Sequence, residues 1–286
     1  MSDVKSIAVI GSGTMGSGIA LTAAMSGIRA WQIDISPEQL EKAKVYHGRT
    51  LARSVEKQRM TQAQADETAG RIVYVQDMAE AAEADWVIEA ALENLELKKQ
   101  LFWKMLEVFR EDVVLATNTS SISITAIAAE VEDQAPRVVG MHFFNPVPVM
   151  KLVEVIRGLA TSEETVRRTT ELAVRLGKTP VPANDRAGFV ANRVLMPMIN
   201  EAFYAWMEGV AEPEHIDEIM KLGMAHPMGP LRLADLIGLD ICHDILMVLH
   251  AELGHEKYFP CPLLRQLVQA GRLGDKTGRG VYEHIS

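Results

Sequence analysis

Short apolar runs alternate with longer amphipathic runs through the first half of the chain. The apolar runs are typical of buried strands, and they end at polar or glycine-containing turns. They predict strands at residues 6–11, 29–34, 72–76, 86–90, 113–118, 138–144 and 152–156. The runs between them predict helices at residues 14–27, 36–60, 61–71, 95–110 and 124–131. This alternation predicts a doubly wound, mainly parallel sheet with helices on both faces.

The pattern changes near residues 185–188, after which helical runs dominate. Helices are predicted at residues 189–210, 213–224, 233–254 and 261–271. We therefore predict two domains, an α/β domain over residues 1–186 and a smaller all-helical domain over residues 187–286. The helical runs are apolar on more than one face, so they either fill a core or form a dimer interface.

Composition narrows the class of protein. The chain has 286 residues, is 48% hydrophobic and carries a net charge of −9, which disfavours a nucleic-acid role because phosphate binding needs a basic face. Cys242 and Cys261 lack metal-ligand spacing, so we expect reduced thiols and no metal site. No apolar run approaches the roughly 18 residues of a membrane span. The N-terminus leads directly into a strand, so we expect no targeting peptide, no membrane partner and a cytoplasmic location.

The stretch "VIGSGTMGSGIA" contains the spacing G-x-G-x-x-G at Gly11, Gly13 and Gly16. Such a match is weak alone, but here it follows a predicted strand and opens a predicted helix, as a dinucleotide loop requires. Its glycines provide a tight turn, close backbone approach to a pyrophosphate and close helix–strand packing. We expect this loop, including Thr14 and Met15, to bind a dinucleotide at the helix N-terminus.

An acidic residue ends the second predicted strand, 18 residues beyond the last glycine of the loop. A carboxylate at this place can bind the ribose hydroxyls, and it would repel a 2′-phosphate. Asp34 therefore favours NAD over NADP. The alternative is an acid that caps the next helix.

The long helix after Asp34 carries positive charge on one face. Arg49, Arg53 and Lys57 are spaced i, i+4, i+8, with His47 and Arg59 nearby. In an acidic chain this stripe is either a solvated helix face or a handle for an anionic part of the substrate, such as a nucleotide phosphate.

Two ionisable residues interrupt apolar strands in "GMHFFNPVPVMKLVEVI". The short connection allows the two strands to pair, so His142 can meet Glu154. A carboxylate bonded to one ring nitrogen fixes the tautomer and leaves the other nitrogen for proton transfer, as oxidation of a carbinol requires. The alternative is a satisfied pair in the core. Residues 118–121 follow a strand at its carboxyl end, where α/β sheets bind ligands, and Asn192 lies in an apolar helix where its amide needs a partner. The alternatives are a Ser/Thr helix cap and an ordinary buried amide.

These motifs together resemble the L-3-hydroxyacyl-CoA dehydrogenase family, most closely its bacterial 3-hydroxybutyryl-CoA type. The resemblance covers almost the whole chain, and its most specific element is "HFFNPVPVMKLVEV". Further matching stretches are "IAVIGSGTMGSGIA", "VIEAALENLELKKQLF", "TNTSSISIT", "GFVANRVLMPMINEA" and "GDKTGRGVY". The resemblance implies a Rossmann-type domain and a helical dimerisation domain.

The resemblance also implies roles for individual residues. His142 matches the catalytic base, Glu154 its orienting carboxylate, Ser120 the group that binds the substrate's 3-oxygen near the nicotinamide, and Asn192 the catalytic asparagine. Glu93, Lys98, Asn145 and Lys276 match contacts to NAD. Lys57 matches a lysine that touches coenzyme A, and Thr50 stands where some relatives place a serine that does so. With Arg53, these residues imply an acyl-CoA substrate.

The expected reaction is the NAD-dependent interconversion of L-3-hydroxyacyl-CoA, in particular 3-hydroxybutyryl-CoA, and 3-oxoacyl-CoA. Other substrates stay open, namely 3-hydroxyadipyl-CoA or a free acid such as gulonate or carnitine. An alternative of a different class is a non-catalytic NAD-binding structural protein.

Overall fold

The computed structural model of the protein describes residues 4–284. The chain divides into two compact units, one ending at Asp185 and the other beginning at Arg186. This division lies beside the one expected from the sequence between residues 186 and 187.

The first unit is built on one eight-stranded sheet. Its strands are β1 (Ser6–Ile10), β2 (Arg29–Ile33), β3 (Ile72–Val75), β4 (Trp86–Glu89), β5 (Val114–Thr117), β6 (Val138–Phe143), β7 (Leu152–Arg157) and β8 (Thr179–Asn184). Their order is β3-β2-β1-β4-β5-β6-β7-β8. Neighbours from β3 to β6 are parallel, β7 is antiparallel to β6, and β8 is parallel to β7. The predicted doubly wound sheet is confirmed, and its ligand-binding crevice is expected at the carboxyl ends of β1 and β4, where the strand order reverses.

Within residues 4–185, six α-helices accompany this sheet: α1 (Thr14–Met25), α2 (Pro37–Glu56), α3 (Gln62–Gly70), α4 (Leu95–Val108), α5 (Ile124–Ala128) and α6 (Glu163–Arg175). The predicted helix at 124–131 is shorter, because a 3₁₀ segment with a kink at Glu132 follows Ala128. Helices α2 to α6 each have a capping side chain that accepts a hydrogen bond from a backbone N–H of the first turn. The capping residues are, in order, Ser36, Thr61, Asn94, Ser123 and Ser162. Among the described α-helices of this unit, α1 alone lacks such a side-chain cap.

Strand β8 has no counterpart in the sequence prediction. Its sequence, "TPVPAN", contains Pro180 and Pro182, and prolines argue against a central strand. The structure places it at the edge of the sheet. The amides of Thr179 and Asp185 donate to the backbone carbonyls of Lys151, directly before β7, and of Arg157, at its end. Backbone N–H positions alternate in direction along a strand, so those of the even-numbered residues between them point away from the sheet. Prolines are tolerated there because no ladder hydrogen bond is lost.

The second unit is helical, as predicted. It contains α7 (Ala191–Met207), α8 (Pro213–Gly223), α9 (Pro230–Ile237), α10 (Leu239–Leu253) and α11 (Pro262–Gln269). One prediction here is wrong, because residues 233–254 form two helices separated at Gly238, whose φ of 107° no α-helix accommodates. The core of this unit includes Phe203, Leu231, Leu246 and Tyr258. None of the helices within residues 4–284 has the length and apolar character that a bilayer crossing requires.

His47 connects three elements inside the first unit. It is 2% exposed, so it is not part of the solvent-facing stripe of α2, although its position in the sequence is close to those cations. Its Nε2 lies 2.8 Å from the Ser17 carbonyl of α1, and its Nδ1 lies 2.7 Å from the Tyr74 hydroxyl of β3. Burial lowers the pKa of His47, partly offset by the Ser17 carbonyl. Neutral His47 therefore fastens α2 to α1 and to the sheet.

We expect His47 to make the stability of the protein depend on pH. Its folded pKa lies below the unfolded value of about 6.5, so its contribution is complete above that pH and is lost as the pH falls towards the folded pKa. Urea unfolding at pH 7.5 and at pH 5.5 measures this loss. His47→Gln should lose stability at pH 7.5 and show a smaller drop on acidification than the wild type. His215 is exposed on α8, and His215→Gln is the control. It should show the same loss of stability on acidification as the wild type.

Candidate active site

The glycine loop joins β1 to α1 with the geometry that a dinucleotide site needs. Gly11 has a φ of 99°, and a Cβ there would lie 2.6 Å from the Ala90 carbonyl oxygen. A Cβ on Gly16 would lie 1.9 Å from the Gly11 carbonyl oxygen, so helix and loop pack as closely as expected. A Cβ on Gly13 would meet no described atom within 4 Å, which leaves room for a phosphate. Thr14 and Met15 form the first turn of α1, whose uncapped N–H groups suit a pyrophosphate.

Asp34 lies directly after β2, beside this loop. Its carboxylate accepts the Ser12 amide at 2.8 Å and the Ser36 amide at 2.9 Å. Helix α2 is capped by the Ser36 side chain, so the alternative of Asp34 as the helix cap is wrong. A carboxylate held at the end of β2 next to a glycine loop fits the ribose of NAD.

Glu93, Lys98 and Ser120 form one cluster after β4 and β5. Oε1 of Glu93 accepts the Ser120 amide at 2.9 Å and lies 3.3 Å from its hydroxyl; it also accepts the Thr119 hydroxyl at 2.6 Å. The Lys98 ammonium lies 3.4 Å from Oε2 of Glu93. Burial alone would raise the pKa of Glu93, but Lys98 and these hydrogen bonds outweigh it and lower that pKa. Ionised Glu93 therefore anchors the segment that carries Ser120.

A further carboxylate belongs to this cluster and was missed in the sequence. Glu89 ends β4 and is fully buried, and both of its oxygens accept from Lys98, at 2.7 and 2.9 Å. Lys98 is itself 1% exposed. The signal that could have identified Glu89 is the one that identified Glu154, namely a single carboxylate inside an apolar strand.

His142 and Glu154 are direct cross-strand partners on β6 and β7. Nδ1 of His142 lies 2.7 Å from Oε2 of Glu154, and the residues are 7% and 3% exposed. The amide of Phe143, next to the histidine, donates to the Asn118 side chain at 2.9 Å, which ties β6 to the end of β5. The two strands do meet at the expected residues.

The segment between these strands is held by a buried lysine that was not predicted from the sequence. Nζ of Lys178 donates to the backbone carbonyls of Val147 and Met150. Burial, and then Lys151, lower the pKa of Lys178. Val147 also presses against α1, because a Cβ on Gly18 would lie 2.8 Å from its side chain. Asn145 lies near the start of this segment and is exposed.

The stripe of α2 is solvent-facing. Arg49, Arg53 and Lys57 are exposed, and Lys57 caps the end of the helix. Thr50 is half-buried, and its carbonyl accepts the Ser54 hydroxyl at 2.9 Å. Accessible cations on one helix face fit either alternative left open by the sequence.

Two predicted site residues belong to the second unit. Asn192 lies in the first turn of α7 and is 8% exposed. Nζ of Lys276 lies 2.6 Å from Oδ2 of Asp240. The "GDKTGRGVY" stretch that contains Lys276 is fastened by buried Asp235, which accepts the Val281 and Tyr282 amides at 2.8 and 2.9 Å. That stretch therefore has a structural role within its own unit, beside the cofactor role that its resemblance implies.

The candidate residues of the first unit lie together at the carboxyl ends of the parallel strands. Gly11, Asp34, Glu93 and Ser120 each follow the carboxyl end of a parallel strand, and the His142–Glu154 pair lies where β6 ends and β7 begins. A dehydrogenase site needs a loop for the dinucleotide, an acid for the ribose, hydroxyl groups for the substrate and a group that transfers a proton. These residues offer a candidate for each part.

Two family models together match nearly the whole chain. The model described as "3-hydroxyacyl-CoA dehydrogenase, NAD binding domain" matches residues 6–186, and the model of the C-terminal domain matches residues 188–284. The chain therefore belongs to the 3-hydroxyacyl-CoA dehydrogenase family. The predicted NAD-dependent dehydrogenase is confirmed, and a non-catalytic structural protein is not the class that these matches describe.

Individual relatives agree with this assignment. A Bacillus subtilis protein named "probable 3-hydroxybutyryl-CoA dehydrogenase" is 54% identical over 282 residues, covering 99% of this chain and 98% of that protein. The crystal structure of (S)-3-hydroxybutyryl-CoA dehydrogenase from Ralstonia eutropha matches with a TM-score of 0.95 at 45% identity, over 99% of this chain and 100% of that one. An Escherichia coli protein named 3-hydroxyadipyl-CoA dehydrogenase is 47% identical, over 99% of this chain and 60% of that protein.

We expect Asp34 to set the preference for NADH over NADPH. Asp34→Asn keeps the size of the side chain but removes the charge that opposes a 2′-phosphate. The ratio of kcat/KM for NADH to that for NADPH should fall about tenfold or more, the effect of roughly 1.4 kcal/mol. Asp77→Asn changes an acid after the neighbouring strand β3, where Asp77 caps a short 3₁₀ turn, and should leave the ratio unchanged. An unaltered ratio in Asp34→Asn would contradict the role.

Proposed function

We propose that this chain reversibly oxidises L-3-hydroxyacyl-CoA to 3-oxoacyl-CoA, with 3-hydroxybutyryl-CoA as its main substrate. The observation that carries the proposal is the 2.7 Å contact between Nδ1 of His142 and Glu154 at the ligand-binding edge of a dinucleotide sheet. The names of the Bacillus and Ralstonia relatives support the four-carbon acyl group.

In this proposal His142 is the general base. Its Nδ1 is engaged by Glu154, so Nε2 is the nitrogen that takes the proton of the substrate's 3-hydroxyl. Glu154 orients the ring and stabilises the imidazolium formed, which holds the proton until the reverse reaction or release to water. Bound NAD supplies the hydride acceptor for C3.

Ser120 and Asn192 are proposed to orient the substrate. The Ser120 hydroxyl bonds the 3-oxygen, and Glu93 supports this role because it fixes the backbone on which Ser120 stands. The Asn192 amide is proposed to bind the oxygen or the thioester. Asn145, Glu93, Lys98 and Lys276 are proposed to contact or support the cofactor, Lys98 acting from within its ion pairs.

The exposed stripe of α2 is proposed to bind the phosphates of coenzyme A. Arg53 and Lys57 are accessible cations in a chain of net charge −9, and Thr50 offers a hydroxyl one turn away. Guanidinium and ammonium groups on one helix face suit several phosphates at once.

A second candidate substrate is 3-hydroxyadipyl-CoA, favoured by the name of the Escherichia coli relative. Free acids such as gulonate and carnitine would leave the α2 stripe without a function. Direct comparison of the CoA esters with the free acids separates these candidates.

A homodimer through the second unit stays a prediction. Exposed large apolar side chains on its helices support it, for example Val194 at 66%, Ile219 at 59% and Leu222 at 78% exposure. A molar-mass measurement in solution would decide it, and the cytoplasmic location expected from the sequence awaits cell fractionation.

We expect rapid oxidation of NADH with acetoacetyl-CoA, and His142→Gln should lower this turnover by about 10²–10⁴-fold, the range for a lost general base. NADH affinity, measured by fluorescence, should be unchanged, because the histidine lies outside the glycine loop. The assay is run beside NADPH and free acetoacetate.

Near-wild-type turnover of His142→Gln would contradict the role of the base. If the wild type binds NADH but does not turn over the short CoA ester, longer and dicarboxylic CoA esters replace it as candidates.

We expect Lys57→Ala to raise the KM for acetoacetyl-CoA severalfold with little change in kcat, because a distant phosphate contact binds ground and transition states equally. The effect should shrink at high salt. Lys44→Ala is the matched control, since Lys44 is exposed on the opposite side of the same helix. Equal KM values for the wild type and both variants would refute the coenzyme A handle.

A further inference from the structure

Glu89 lies at the point where the strand order of the sheet reverses. It is the last residue of β4 and is fully buried, and three apolar residues, Trp86 to Ile88, precede it. A carboxylate in such a place is costly unless every oxygen is satisfied.

Four hydrogen bonds satisfy this carboxylate. Lys98 donates to both oxygens at 2.7 and 2.9 Å, the Thr117 hydroxyl donates at 2.6 Å, and the Ala91 amide donates at 2.6 Å. A buried ion pair adds little net stability, because apolar residues of the same volume often do as well. Stability alone therefore does not account for this pair.

One side of Glu89 sets the turn against which the glycine loop packs. Its bond to the Ala91 amide fixes the backbone directly after β4. Gly11 lies so close to this turn that an added Cβ would be 2.6 Å from the Ala90 oxygen and 3.0 Å from the Ala91 nitrogen. A shift of the turn would therefore displace the dinucleotide loop.

The other side of Glu89 sets the segment that carries Ser120. Thr117, which bonds Glu89, ends β5 three residues before the serine. Lys98 bridges Glu89 to Glu93, and Glu93 accepts the Ser120 amide. The contact through Thr117 and the contact through Lys98 and Glu93 therefore both lead to the loop that carries Ser120.

We infer that Glu89 is a positioning residue that couples the dinucleotide loop to Ser120, so that cofactor and substrate oxygen are held in one register. It acts through Ala91 on Gly11 and through Thr117 and the Lys98–Glu93 pair on Ser120. The part of the inference that concerns turnover rests on the proposed role of Ser120; the part that concerns NADH affinity does not.

The test compares Glu89→Gln with the wild type at a temperature well below both unfolding midpoints. We expect kcat for acetoacetyl-CoA to fall about 10- to 100-fold, the range for loss of a group that orients a reacting residue. The Kd for NADH should rise severalfold, while the KM for acetoacetyl-CoA stays near wild type because the α2 stripe is untouched.

Asp85→Asn is the matched control. Asp85 precedes the same strand at its opposite end, where it accepts the Lys5 and Ser6 amides at 2.8 and 3.0 Å. Its loss should lower the melting temperature and leave kcat and NADH affinity unchanged. Thr117→Val, which removes one bond to Glu89 without a change of charge, should move kcat in the same direction by less, and it serves if Glu89→Gln does not fold.

A folded Glu89→Gln with wild-type kcat and Kd, and only a lower melting temperature, would overturn the inference. So would equal effects of Glu89→Gln and Asp85→Asn on the Kd. If the wild type reduces no 3-oxoacyl-CoA, the proposed function fails, and the Kd for NADH in the three variants still decides the role of Glu89.

Discussion

Two carboxylates buried inside apolar strands constrain the active edge of the sheet. Glu89 and Glu154 are 0% and 3% exposed, and each has to meet a partner because water cannot solvate it. The partners, Lys98 and His142, stand on neighbouring elements. These contacts therefore hold α4 against β4 and fix the pairing of β6 with β7, beside the loop that carries Ser120.

Much of this edge was predictable because the signals were local. Apolar runs marked seven strands, and the glycine spacing gained weight from the strand before it and the helix after it. The meeting of His142 and Glu154 followed from a short connection, since strands joined in this way usually pair. Strand β8 was not predicted, because its prolines are typical of a loop and only its pairing with β7 makes it a strand.

Other features could not be predicted, because their partners lie far away in the sequence or in the backbone. Lys178 bonds two main-chain carbonyls, which no residue pattern marks. His47 shares a helix with exposed cations, and only the packing of α1 and β3 determines that it is buried. In the second unit, Gly238 interrupts a sequence that is typical of one helix. Asp235 accepts the Val281 amide, so the "GDKTGRGVY" stretch also has a structural contact that its sequence does not indicate.

The proline positions of β8 have a consequence for self-association. Pro180 and Pro182 occupy the outward-facing side of the terminal strand, so that side offers no N–H at either place. A strand from another molecule could not extend the sheet there by a regular ladder, and this end of the sheet is closed to fibre-like growth. Contact between copies at this end would need side chains in place of backbone pairing.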